Sequence, residues 1–227
     1  MFKRLIILFK LGRKLAKSDV LTIVSKFNKP PLLISVIFKL LSFSFAKKDV
    51  SFDNLSEGEK LSNSLASMGT TFIKLGQFLA TRPDIIGDKL SKELENLQDK
   101  LPPFSQSKAK DMIKKDLGDE LYNSIINISE PVAAASIAQV HKAQINDNGV
   151  IKDVAIKILR PDIKKIFNEE VDALMLFAYI VESFIKKTKR LKLVEVVFLL
   201  KEITSLEMDL RFEAAAANEY AENTKND

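Results

Sequence analysis

A chain of 227 residues, 46% hydrophobic and 29% charged, carries enough apolar side chain for a sizeable core, which excludes a disordered polymer and leaves room for one domain with an extension or two small domains. Its net charge of +5 is a small surplus of 35 basic over 30 acidic residues. No aromatic-interleaved basic stripe, finger spacing or RNA-binding motif accompanies it, so the charge points to an anionic membrane surface or a polyphosphate rather than to nucleic acid. Without cysteine and with His141 as the single histidine, the chain has no disulfide framework, no thiolate or multi-histidine metal site, and no Ser-His-Asp triad unless His141 serves it.

In chain order, residues 1–17 hold Lys3, Arg4, Lys10, Arg13, Lys14 and Lys17 before the first acid, Asp19. At about 100° per residue, Lys3, Lys10, Lys14 and Lys17 form one stripe while Leu5, Phe9 and Ala16 share another side. The pattern suits a helix lying in a membrane interface. It suits equally a surface helix docked on the protein's own core, and a targeting peptide is a third reading. After Pro30-Pro31, residues 32–45 form the longest apolar run, but it carries Lys39 and falls short of the roughly 20 residues that a spanning helix needs. Recurring charges and the lack of a small-residue cleavage site argue against a secretory signal.

Ser56 and Glu59 form a predicted capping box opening a helix to Pro83, with Leu61, Leu65, Met68, Phe72, Leu75 and Leu79 on one face. A second helix is predicted over 88–101, with Leu90, Leu94, Leu97 and Leu101 on one face and Pro102-Pro103 as its stop. A third covers 107–117, with Gly118 as its cap. The character changes near Pro131. Residues 136–145 and 153–159 read as two strands around a tight turn through Asn146, Asp147, Asn148 and Gly149. Pro161 opens a long helix to about 187, and a last helix runs from about 194 past 218.

Val154-Ala155-Ile156-Lys157 places a lysine late in a strand, as in protein kinases, where a triphosphate needs a fixed cation and that cation needs a carboxylate to hold it. The same four residues also describe an edge-strand lysine pointing to water. Upstream, Ala133, Ala134, Ala135 and Ser136 are small enough for backbone amides to approach phosphate, although alanine restricts φ where glycine would not. A tightly packed small-residue turn fits them as well. Lys74 and Gln77, at i and i+3, lie roughly opposite the leucine stripe, either as a solvated polar face or as a pair acting together. Glu207 and Asp209, at i and i+2, diverge on a continuous helix. His141 reads as a strand residue bonding locally rather than as a catalytic one.

Three motifs then occur in order: Lys74-x-Gly76-Gln77 with Arg82-Pro83-Asp84 behind it; the alanine-rich run from Ala133 to His141 followed by Val154-Ala155-Ile156-Lys157; and Glu207-x-Asp209 followed by Arg211-Phe212-Glu213-Ala214. Together they resemble the UbiB family of atypical protein-kinase-like proteins over about residues 50–227. The resemblance implies an α+β, mainly helical fold: a protein-kinase-like N-lobe with a small antiparallel sheet, plus a helical N-terminal extension. Residues 1–50 would be the basic amphipathic segment, 51–118 the extension with the K-x-G-Q motif, and 119–227 the N-lobe.

The resemblance also implies ATP with Mg²⁺ as cofactors, bound by Ala133, Ala134, Ala135, Ser136, Lys157, Glu213, Lys74, Gln77, Glu207 and Asp209. Lys157 and Glu213 would be the phosphate-lysine pair, and Glu207 or Asp209 would reach toward Lys74. The extension would lie over the cleft and block a protein substrate, which favours ATPase or small-molecule activity. The implied role is support of ubiquinone (coenzyme Q) biosynthesis, at the cytoplasmic face of an inner membrane as a peripheral protein. Implied partners are an adenine nucleotide, a membrane surface or lipid, and other ubiquinone-biosynthesis proteins. No flavin fingerprint, haem ligand set or iron site supports a redox reading.

Two departures stand out. Gly87 occupies a position that is often proline in the family. More seriously, no His-x-Asp or Asp-Phe-Gly occurs within the 227 residues, so the catalytic-loop and metal-binding aspartates of a kinase are not among them. The expectation is an N-lobe whose C-lobe is missing or supplied by another chain, inactive alone. The alternative is a non-catalytic scaffold that binds a membrane or a partner.

Overall fold

Ser56 caps the helix that begins at Glu57 in the way its sequence predicts: its hydroxyl accepts from the Glu59 amide at 3.1 Å, and the Glu59 carboxylate accepts from the Ser56 amide at 2.8 Å. The structure, a computed structural model, describes residues 55–95, 97, 101–184 and 186–225, together with 6, 7 and 9. In chain order the helices and strands are α1 (Glu57–Met68), α2 (Thr70–Ala80), α3 (Pro83–Ile86), α4 (Asp88–Leu94), α5 (Gln106–Asn123), β1 (Ile125–Ala134), β2 (Ala138–Asp147), β3 (Val150–Leu159), α6 (Ile163–Phe184), a 3₁₀ turn (Lys186–Leu191), α7 (Leu193–Glu207) and α8 (Leu210–Asn223). The chain divides into two compact units, one of residues 1–98 and 164–205, the other of residues 99–163 and 206–227.

In the first unit the predicted leucine stripe is the buried face. Leu61, Leu65, Met68, Phe72, Leu90 and Leu94 form a core with Ala173 of α6, and Leu75 and Leu79 pack against it. Fully burying side chains of this size is worth about 1.5–3 kcal/mol each. The single helix expected over 56–82 is instead two. Gly69 sits at φ 104°, a left-handed-side conformation that glycine reaches without steric cost, and it ends α1 while opening α2. The apolar spacing runs through the break because both helices pack on the same core. The helix expected to reach Leu101 stops at Leu94. Leu97 is still buried, its amide donating to the Leu94 carbonyl at 2.9 Å, so one turn beyond the helix satisfies the spacing.

Gly87 precedes α4 at φ 85°, which a proline ring locked near −65° cannot adopt. The long helix expected to reach 187 ends at Phe184, and the 3₁₀ turn takes over. Of the N-terminal segment, Ile7 is half-buried against the first core while Ile6 and Phe9 are exposed. The rest of the interfacial-helix reading lies outside the described residues. Among the described residues no helix is long and apolar enough to cross a membrane.

In the second unit, α5 lies against a three-stranded antiparallel sheet of order β1-β2-β3. Ala109, Ile113 and Ile158 are its buried centre, with Phe104, Ile128 and Ile156 packed around them. Gly118, at φ 77°, ends the first helical stretch of α5 as expected, and a second stretch continues beyond this kink to Asn123. The β2–β3 ladder is continuous from Ala138↔Leu159 to Asp147↔Val150. Its turn has both central residues at positive φ, Asn148 at 52° and Gly149 at 89°, the type I′ geometry for which Asn-Gly is suited.

The sequence pattern predicts two strands here; β1 is a third. It pairs with β2 through three register shifts, and Pro131 lies between two of them, opposite His141. Proline cannot donate to a ladder, so it is tolerated on this edge strand, and together with the alanines it hid the strand's pattern.

Candidate functional site

The sheet has two faces, set by the alternation of side chains along each strand. Ile156 and Ile158 turn toward α5. Lys157 therefore turns the other way. Residues opposite one another across an antiparallel pair share a face, so Val140, paired with Lys157, and Ala133, paired with Val140, join Lys157 there, as does Ala155 two residues back. Ala133 and Ala155 are exposed and Val140 is half-buried, so small side chains floor an open face beside the lysine.

Lys157 does not point freely into water. Its ammonium donates to both carboxylate oxygens of Glu213 in α8, at 2.6 and 2.8 Å. The side chains remain 35% and 59% exposed. An ion pair this open contributes about 0–1 kcal/mol to stability, so the pair is too weak to matter as a structural clamp and leaves the ammonium reachable by an anion. The expected lysine–glutamate pair is thus brought together.

The alanine-rich segment is a strand end and a tight turn. Ala133 and Ala134 belong to β1, paired with Val140 and Gln139. The Ala135 amide donates to the Ala138 carbonyl at 2.8 Å, which commits it to the hairpin, while Ser136 is buried. No residue of the turn has positive φ. Arg160 fixes it from behind: its Nε–H donates to the Ala135 carbonyl at 2.9 Å, its Nη1 and Nη2 donate to the carbonyls of Pro102 and Leu101 at 2.9 and 3.1 Å, and its amide donates to the Ile137 carbonyl at 2.8 Å.

His141 is a buried structural residue, as its sequence position suggests. The Ser129 carbonyl, 2.8 Å from Nδ1, can only accept, so Nδ1 carries the proton and Nε2 accepts from the Gln139 amide at 2.9 Å. Gln139 also exchanges hydrogen bonds with both backbone groups of Phe104, at 3.0 and 3.2 Å. Both ring nitrogens are thereby engaged within the fold.

Glu207 and Asp209 are not on one continuous helix. Glu207 ends α7, and Asp209 caps α8, accepting from the Arg211 amide at 3.3 Å and from its guanidinium at 2.5 and 2.8 Å. The Asp209 carboxylate, by its hydrogen bonds and then its charge, raises the pKa of Arg211 above the ordinary value. Lys74 and Gln77 lie half-buried one turn apart in α2 of the first unit. Lys74 belongs to the first unit, whereas Glu207 and Asp209, expected to reach toward it, belong to the second.

Between Lys74 and Gln77 stands Gly76, whose role the sequence reading missed. A Cβ there would meet Leu97 Cδ2 at 2.5 Å and Leu65 Cδ1 at 2.9 Å, so this glycine lets α2 sit directly on two buried leucines. Val140 and Ala155 were also missed; the two-residue alternation counted from Lys157 and the hairpin register is the signal that finds them. Behind the motif, Arg82 and Asp84 form the expected pair at the helix end, with bonds of 2.7 and 2.8 Å that hold the Asp84 carboxyl below the usual carboxylate range.

As a nucleotide site the face fits in part: a positioned ammonium, an open floor and a turn held in place are present. For Mg²⁺ the donors do not suffice, since among the described residues no group of three His, Cys, Asp or Glu side chains could hold a metal.

The ABC1 atypical kinase-like domain matches residues 96–227. Relatives named probable protein kinase UbiB are 38% identical over 173 residues in Marinobacter nauticus, 37% over 170 residues in Vibrio cholerae and 36% over 167 residues in Aliivibrio fischeri. These alignments cover 73–76% of this chain but 30–31% of each relative. No solved structure gives a significant match.

Proposed function

This chain belongs to the ABC1 atypical kinase-like family, and from that premise we propose that it is the ATP-binding part of a UbiB-like kinase or ATPase that supports ubiquinone biosynthesis. The observation that carries the reading is the Lys157 ammonium held by both oxygens of Glu213 on an open, small-residue face. A fixed cation beside a flat apolar floor suits a ligand with a phosphate tail and a planar base. In this reading Ala133, Val140 and Ala155 receive the base, Lys157 binds phosphate, the 135–137 turn borders the phosphates, and Lys74, Gln77, Glu207 and Asp209 are further nucleotide-binding residues. The protein acts as a peripheral protein at the cytoplasmic face of an inner membrane, among other ubiquinone-biosynthesis proteins.

The 227 residues contain no Asp-Phe-Gly or His-x-Asp, so by themselves they bind nucleotide without hydrolysing it. The test is titration of a non-hydrolysable ATP analogue with Mg²⁺ into the purified chain and into Lys157→Ala. Loss of one charge-assisted phosphate contact is expected to weaken binding about tenfold or more. Equal affinity in the two proteins would overturn the reading. Turnover by the chain that disappears in Lys157→Ala would overturn the inactivity. A second reading, a non-catalytic scaffold, is favoured by α8, which has no buried residue and leaves Phe212 and Tyr220 62% and 72% exposed. Absence of nucleotide binding in both proteins would favour it.

A further inference from the structure

Far along the chain from the lysine strand, the first unit holds a cavity of about 400 Å³, within the size range of small-molecule sites. It is lined by α3, the end of the 3₁₀ turn and the start of α7. One side is polar. Arg82 spends Nε–H and one Nη2–H on Asp84, which leaves its Nη1 hydrogens for another acceptor. Lys192 pairs with Glu195 at 3.0 Å. Arg190 also lines the cavity, and among the described residues no carboxylate stands within 4.0 Å of it. Three cations thus face two carboxylates, and the cavity keeps one positive charge in excess. The other side is apolar, formed by Ile85, Leu191 and Leu199, the last of them 39% exposed.

We propose that this cavity binds a phosphate group joined to an apolar chain, with the phosphate on Arg190 and Arg82 and the chain along Leu199 and Ile85. Two facts select this class. Guanidinium forks match phosphate oxygens two at a time, whereas a neutral or cationic head would leave the Arg190 charge unanswered. A bare inorganic anion would leave the apolar wall wet, and covering that wall adds affinity in proportion to the area removed from water. The proposal is independent of the nucleotide reading, because Lys157 and Glu213 take no part in the cavity.

The experiment is calorimetric titration of the full chain with octyl phosphate below its micellar concentration, beside inorganic phosphate and octyl glucoside. Octyl phosphate is expected to saturate one site. The two controls, each lacking one half of the recognition, should bind at least about tenfold more weakly. Arg190→Gln and Leu199→Ser, both at exposed positions, should each weaken octyl phosphate, and only the first should alter the residual binding of inorganic phosphate. Lys157→Ala should leave the site unchanged. Wild-type affinity in both variants, or inorganic phosphate binding as tightly as octyl phosphate, would overturn the proposal. Co-sedimentation with phosphatidylglycerol vesicles separates the sources. Loss of sedimentation in Arg190→Gln assigns the phosphate to a bilayer lipid; octyl phosphate binding without Arg190-dependent sedimentation assigns it to a soluble phosphate ester.

Discussion

Arg160 reaches three backbone carbonyls with its side chain and a fourth with its amide. A lysine there keeps the charge but loses the planar fork that lets one side chain serve the turn at Ala135 and the linker at 101–102 together. Arg160→Lys is expected to cost about 1–3 kcal/mol, and to speed hydrogen exchange of the Ala135 amide, read by exchange mass spectrometry or NMR. Unchanged exchange at the turn would show that the clamp is dispensable. Nothing in the sequence marks this arginine, because its acceptors come from two segments that lie apart in the chain. Lys157 and Glu213 were legible only through a family motif, for the same reason: a strand and a helix more than fifty residues apart meet through one ammonium and one carboxylate.

A second residue-scale prediction concerns pH. The Asp147 carboxyl accepts from Lys152 at 2.6 Å and from Asn148 at 3.1 Å, and the Lys152 bond, then the Lys152 charge, holds it below the usual carboxylate range. A carboxyl with a lowered folded pKa stabilises the fold while the pH is above its unfolded value, and that contribution disappears as the pH falls through the folded value. The thermal midpoint of wild type should therefore exceed that of Asp147→Asn at neutral pH, with the gap closing on acidification. A gap that persists in acid would locate the effect elsewhere in the turn.

At the scale of the element, α2 is where packing is tightest. Gly76→Ala places a methyl group against Leu65 and Leu97, both nearly buried, so it should cost about 1–3 kcal/mol through overpacking despite alanine's better helix propensity, as measured by denaturant unfolding. A stabilised variant would mean that the two leucines move aside freely. The capping box, the leucine stripe and the Asn-Gly turn were legible because each depends on residues a few positions apart. The helix breaks at Gly69 and before Asp209 were not. Apolar periodicity reports which side faces a core, and two consecutive helices on one core keep the same spacing that one helix would. β1 was hidden because Pro131 and the alanines lack strand propensity, and its pairing with β2 repairs the pattern with bulges.

For the molecule as a whole, the testable expectation concerns anionic surfaces. The basic segment of residues 1–17 is expected to bind anionic vesicles with an affinity that falls as salt rises, since exposed charges are screened within about 10 Å at 0.1 M. Sedimentation of the full chain and of a form lacking residues 1–17, across a salt series, checks this. Binding that ignores salt, or that survives the deletion undiminished, would assign membrane contact to another part of the molecule. The kinase-like class was readable because its motifs are local strings in a set order. The division of the chain into two interleaved units was not, since no local pattern announces that α6 returns to the core laid down by α1, α2 and α4.

That return has a consequence for how the protein is made. As the chain leaves the ribosome from its N-terminus, Leu61, Phe72 and Leu94 appear well before Ala173, which completes their core. The β2–β3 hairpin, whose partners are close neighbours in sequence, emerges in between and can pair at once. The earlier-made helices must therefore wait with an unfinished apolar face until later residues are synthesised. That interval is when nascent chains are most exposed to aggregation and to chaperone capture.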